Sequence, residues 1–104
     1  MFTEEWFLKA ISGYTARDVE DMIDWGVNLD DLIRRKYGKY LPLARAAARR
    51  MRARDPTMPI TAEEAMRWLR ARRPDLYGAI KSRPGGQEWL EEQVARLKAL
   101  LGVS

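Results

Sequence analysis

From Gln87 to Leu101 the chain reads Gln-Glu-Trp-Leu-Glu-Glu-Gln-Val-Ala-Arg-Leu-Lys-Ala-Leu-Leu. Leu90, Val94, Leu97 and Leu101 recur at intervals of four, three and four, the spacing of one face of an α-helix. Such a stripe has to be buried. In a chain of 104 residues the favoured reading is that it closes the core, because a small domain needs that area; a surplus stripe would form a dimer seam. Gly102 stands just past its end, where a left-handed residue is wanted, and Pro84-Gly85-Gly86-Gln87 forms a turn before its start.

The same signals recur toward the N-terminus. Thr3, Thr15, Asn28 and Thr61 each precede an apolar-periodic run, with acids in the next turn. Thr61-Ala62-Glu63-Glu64 has the form of a capping box, and Thr15-Ala16-Arg17-Asp18 is its shorter Asp relative. Their likeness reads as two unrelated caps rather than an internal repeat. Helices are predicted near 3–12, 15–25, 28–37, 40–54, 61–73, 75–82 and 86–101, with Gly13, Gly26 and Gly38 as further left-handed terminators and Pro74 suited to the first turn of the sixth helix. No segment sustains period-two alternation, so no strand is predicted. The expected fold is all-α: one compact domain over 1–104, of about six or seven short helices in an orthogonal or irregular bundle. Asp55-Pro56-Thr57-Met58-Pro59-Ile60 is a stiff connector between a four-helix half, 1–54, and a three-helix half, 61–104.

Composition narrows the function. The chain has no Cys and no His. Disulfides, thiol nucleophiles, Cys- or His-ligated zinc, Ser-His-Asp triads and imidazole bases are thereby excluded. Arg outnumbers Lys by 14 to 5, Asn and Gln total three, and charged residues make up 33%. That is a thermophile-like composition, or equally the mark of a GC-rich genome. The start, Met1-Phe2-Thr3-Glu4-Glu5-Trp6, lacks the basic and apolar regions of a signal peptide, and no apolar run is long enough to span a bilayer. The expectation is a cytoplasmic, intracellular protein, with residence in a virion also compatible.

The net charge of +4 conceals an uneven distribution. Residues 1–31 carry eight acids and two bases, residues 32–83 fifteen bases and four acids, and residues 84–104 three acids and two bases. An acidic head thus precedes a basic middle. The densest part is Arg34-Arg35-Lys36-Tyr37-Gly38-Lys39-Tyr40, followed by the helix Leu41 to Arg54. On a helical wheel Leu41, Leu43, Ala44, Ala47, Ala48 and Met51 form one arc, while Arg45, Arg49 and Arg52 fall opposite. An Arg ladder bordered by alanines matches a helix laid along phosphates, since guanidinium forks fit phosphate oxygens. Its rival is pairing with the acidic head, within the chain or between copies. A second basic group is Arg67, Arg70, Arg72 and Arg73; Glu63 is expected to occupy Arg67, leaving Arg70 and Arg73 as further candidates. Tyr37 and Tyr40 are candidates for base stacking, though capping the adjacent core is the stronger expectation. Trp6, Trp25, Trp68 and Trp89 are expected to anchor the core.

Other motifs carry less. Val19 to Arg35 can be threaded onto a helix-turn-helix around Gly26, but a recognition helix beginning Asn28-Leu29-Asp30-Asp31 would repel DNA, so a packing hairpin is expected. The tripeptide Gly85-Gly86-Gln87 resembles the catalytic loop of peptide-chain release factors; the match covers four residues with Pro84, and a turn into a helix accounts for it better. Adjacent carboxylates diverge on a helix, and Glu20, Asp21 and Asp24 read as a solvated face, so no metal and no cofactor is expected. The leading expectation is a non-catalytic nucleic-acid-binding protein, DNA-packaging or coat-like or a ribonucleoprotein subunit. It would contact the backbone through Arg34, Arg35, Lys36, Lys39, Arg45, Arg49, Arg52, Arg70 and Arg73. The alternative is a helical protein–protein interaction module that joins acidic and basic surfaces for self-assembly or partner binding.

Overall fold

A computed structural model describes residues 4–54 and 61–102, with only the helical backbone described at 51–54. Among these residues are seven α-helices, one 3-10 turn and no strand. The helices are α1 (Glu4–Ala10), α2 (Ala16–Trp25), α3 (Leu29–Tyr37), α4 (Leu41–Arg54), α5 (Ala62–Arg72), α6 (Pro74–Ser82) and α7 (Gly86–Leu101), with the 3-10 turn over Gly38–Tyr40. The all-α expectation holds and helix limits agree to within two residues. Thr3 and the connector 55–60 lie outside the described residues.

The core explains the order of the helices. Helices α5, α6 and α7 pack on one another, and the N-terminal helices lie against that frame in sequence: α1 on α5, α2 on α6, α3 and α4 on α7. The predicted hairpin of α2 and α3 therefore has its main contacts with other helices. One cluster runs from Phe7 and Ile11 through Val19, Leu29 and Ile33 to Leu69, Leu76, Leu97 and Leu101, so both halves of the sequence share a core. The α7 stripe is fully used within the chain: Leu90, Val94, Leu97 and Leu101 are all buried. The radius of gyration is 13.3 Å, close to the roughly 13 Å of a folded chain this long.

Local signals set the helix ends. Thr15 caps α2: its Oγ1 accepts from the Asp18 N–H at 3.2 Å, and the Asp18 carboxylate accepts from the Thr15 N–H at 2.8 Å. Thr61 accepts from the Glu64 N–H at 3.2 Å. The return bond of the predicted box is not made; the Glu64 carboxylate instead accepts from Arg67 at 3.3 Å. Arg67 thus meets Glu64 rather than the expected Glu63, because a three-residue step on this helix brings the two groups together. Gly26 and Gly102 adopt the left-handed conformation, with φ of 67° and 73°. Gly38 does not: its φ is −53°, because the chain tightens into the 3-10 turn instead of reversing. Gly13 is likewise not left-handed, whereas Gly85 is, at φ 77°. Gly86 has a separate reason to be glycine: a Cβ there would lie 2.1 Å from the Ile80 carbonyl oxygen. The Gly-Gly pair is thus accounted for by a sharp turn and by close packing of α7 on α6.

The start of α3 is capped from a distance. Asn28 makes no local cap. Fully buried Gln93, on α7, accepts from the Leu29 N–H at 2.7 Å and donates to Asn28 Oδ1 at 3.2 Å. Its amide satisfies an otherwise orphaned helix N–H and fixes α3 to the frame. Trp89 adds a second tie, its indole N–H donating to the Val27 carbonyl at 2.8 Å. Trp6 and Trp68 pack partly buried against the core, but Trp25 does not anchor it: at the end of α2 its side chain is 82% exposed. Position alone could not show this, since the last turn of α2 leaves the frame before Gly26 reverses the chain.

Candidate nucleic-acid interface

Eight of the nine predicted contact residues separate into three groups; the side chain of the ninth, Arg52, lies outside the described residues. The first is spent on structure. Arg45 is part-buried and its Nε–H donates to the Leu100 carbonyl at 2.8 Å. It thereby neutralises the negative, carbonyl-rich end of α7. Arg73 is occupied too: its guanidinium forks onto Asp75 with two bonds of 3.1 Å and donates to the Tyr14 carbonyl at 2.7 Å. Both guanidiniums thus already hold partners within the fold, and both for the same cause. A helical wheel shows which residues share a face, not which carbonyl or carboxylate the fold brings opposite.

The wheel for α4 needs a matching correction. Leu41 and Ala48 are buried as expected, but Leu43 is 71% exposed. The buried direction is turned toward Arg45, so the apolar arc and the Arg ladder are each split. Met51 and Arg52 lie where side chains are outside the described residues.

The second group stands apart. Arg70 is exposed with its guanidinium 6.0 Å from the Tyr77 ring centroid. It lies on α5, whose main contacts are α1, α6 and α7, away from the α3–α4 corner. The structure does not bring Arg70 and Arg73 together with the other candidates.

The third group lies on three consecutive elements. Arg34, Arg35 and Lys36 occupy the last turn of α3, Lys39 the 3-10 turn, and Arg49 the outer part of α4. All five are exposed, and none carries an ion pair with another described residue. Arg50, which the wheel reading overlooked, is exposed in the same way. The signal for it was available: its position on α4 lies opposite Leu41 and Ala48. The 3-10 turn contacts both α3 and α4, so the six cations stand on elements that meet at one corner of the fold, with Arg49 and Arg50 farther along α4. Arg34, Arg35 and Lys36 also offset the negative end of α3, which accounts for some of their presence there but leaves their charged ends in solvent.

Tyr37 and Tyr40 sit at this corner, 45% and 53% exposed. Lys36 Nζ lies 5.4 Å from the Tyr37 ring centroid and Lys39 Nζ 5.1 Å from that of Tyr40. Both tyrosines line a groove of about 370 Å³ with Trp6, Lys9, Ile33 and Leu41.

The acidic head faces elsewhere. Asp24 receives a guanidinium fork from Arg83, with one contact of 3.0 Å. The hydrogen bonds from Arg83 hold the Asp24 carboxyl below its ordinary range, against an opposing effect of desolvation. The same bonds raise the Arg83 guanidinium, with added support from the charges of Glu20 and Asp21. Buried Asp30 pairs with Arg96 at 2.7 Å, and Glu4 with Arg72 at 3.6 Å. Three of the eight acids of residues 1–31, Glu4, Asp24 and Asp30, thus meet arginines of the C-terminal frame. Among the described residues no three Asp or Glu gather as metal ligands, and no helix is long and apolar enough to cross a membrane.

No protein-family model, curated protein or solved structure matches the chain significantly.

Proposed function

We propose that the chain binds nucleic acid through its phosphate backbone and does no chemistry on it. The observation that carries this reading is the run of Arg34, Arg35, Lys36, Lys39, Arg49 and Arg50 around the α3–α4 corner, exposed and without ion pairs among the described residues. Elsewhere in the fold Arg45, Arg67, Arg72, Arg73, Arg83 and Arg96 meet carboxylates or backbone carbonyls, whereas Arg17 and Arg70 are exposed without an ion pair among the described residues. Cations left in solvent on adjoining elements repel one another, and a polyanion relieves that repulsion while releasing its condensed counterions. Four of the six are arginines, whose planar forks suit phosphate oxygens. The absence of His and Cys removes the commonest acid–base and nucleophilic groups.

The test is binding of random-sequence duplex and single-stranded DNA and RNA over a range of salt. The expected result is low-salt affinity without sequence preference that falls linearly on logarithmic axes, by roughly 0.9 per phosphate contacted on duplex. Absence of low-salt binding would overturn the reading. The second reading, a helical interaction module, is favoured by two exposed apolar side chains, Trp25 and Leu43. Its electrostatic half is weakened by the internal pairing of Asp24, Asp30 and Glu4, which leaves fewer acids to meet the basic corner of another copy.

A further inference from the structure

We propose that the groove between α1, the end of α3 and the start of α4 takes unpaired nucleobases, which makes single strands the preferred ligand. The inference rests on the backbone reading above and deepens it. Three aromatic rings, those of Trp6, Tyr37 and Tyr40, face a groove floored by Ile33 and Leu41. Its volume, about 370 Å³, falls within the range of small-molecule pockets. The tyrosines remain about half exposed rather than closing over the core, so ring surface stays open to a ligand.

Charge decides what kind of ligand. Among the described residues no carboxylate lines the groove, and Lys9 does. Lys36 and Lys39 hold an ammonium over one face of Tyr37 and of Tyr40, at 5.4 and 5.1 Å from the centroids, which leaves the opposite face for a base. A base stacked on either ring would therefore have a cation at hand for its flanking phosphate. Aromatic faces and cations alternating along a strand are the means by which single-stranded nucleic acid is held without sequence preference, because every base offers a π-face. A duplex presents the same phosphates but keeps its bases stacked inside, so it gains nothing from the groove.

The test uses the full chain and three labelled probes of equal length: oligothymidylate, an abasic sugar–phosphate strand and a mixed-sequence duplex. Fluorescence anisotropy at low salt is expected to show oligothymidylate binding about tenfold tighter than the abasic strand, in line with one base–aromatic stack. Tyr37→Leu with Tyr40→Leu is expected to abolish that difference while leaving abasic binding unchanged; Tyr→Phe at both positions is expected to retain it. Should the Leu variant fail to fold, the comparison of the two strands on the natural chain decides alone. Equal affinity for the two strands overturns the base site and leaves the backbone reading intact. No binding of either strand overturns both. A dimer in sedimentation that Trp25→Ala and Tyr37→Leu with Tyr40→Leu each dissolve, and that oligothymidylate does not dissociate, would place another copy's indole in the groove and also overturn the proposal.

Discussion

Arg83 and Arg49 are the same side chain in two regions of one small protein, and they do different work. Arg83 and its neighbours Arg72 and Arg96 reach across the fold to carboxylates of the first helices, and Arg73 reaches the Tyr14 carbonyl. Together with Gln93 and Trp89 they fasten the N-terminal helices to the α5–α7 frame. Arg49, with Arg34, Arg35 and Arg50, meets no such partner among the described residues. What separates the regions is which acceptors the fold brings near, not composition. The acidic head does meet the basic middle, but only at its far end: Glu4 pairs with Arg72 and Asp24 with Arg83, while Asp30 reaches Arg96 beyond it. The basic corner keeps its charge as a result.

Substitutions in the fastened region should strike stability, and those at the basic corner should strike binding. The largest effect is expected at Gly86→Ala, where the new Cβ would meet the Ile80 carbonyl oxygen at 2.1 Å and force the backbone of α6 and α7 apart. A loss of about 3 kcal/mol in chemical denaturation is expected. A midpoint equal to that of the natural chain would show that the two helices are not in such close contact. Gln93→Leu comes next. It leaves the buried Leu29 N–H without its acceptor and should cost about 1–3 kcal/mol, read from the shift in urea midpoint at unchanged slope.

The pairs with depressed carboxyls give a smaller, pH-dependent effect. Asp24 is held below its ordinary range chiefly by hydrogen bonds from Arg83, and Asp75 by those from Arg73. Because the folded-state value is the lower one, the stabilisation is complete above the unfolded carboxyl range, around pH 4, and is lost as pH falls below it. Melting temperature should therefore decline on acidification, and less steeply in Asp24→Asn. An Asp24→Asn profile parallel to that of the natural chain would remove Asp24 from the fastening. The smallest change in stability, within about 0.5 kcal/mol, is expected for Arg49→Ala with Arg50→Ala, since both are exposed. A thermal melt that drops by many degrees would show them to be structural after all.

Helix number and placement were legible in the sequence because their signals are local. Thr15, Thr61, Gly26, Gly102 and Pro74 act on neighbours a few residues away, and the stripe of α7 needs only its own period. The site was half legible. Arg34, Arg35, Lys36, Lys39 and Arg49 stay exposed because nothing distant intervenes. Arg45 and Arg73 could not be sorted from them, since the Leu100 and Tyr14 carbonyls that claim them lie 55 and 59 residues away. Exposed Trp25 and the capping by Gln93 belong to the same class: each depends on where one helix ends against another.

The central claim is that charge at the α3–α4 corner, and not positive charge in general, binds the phosphate backbone. Two variants that each remove two positive charges test it most directly: Arg34→Ala with Arg35→Ala at the corner, and Arg72→Ala with Arg83→Ala in the fastened region. Salt-dependent binding to random duplex DNA should show the corner pair lowering the slope of log K against log salt by about two, with the fastened pair leaving the slope unchanged while lowering the melting temperature. Equal slopes for the two variants would contradict the account.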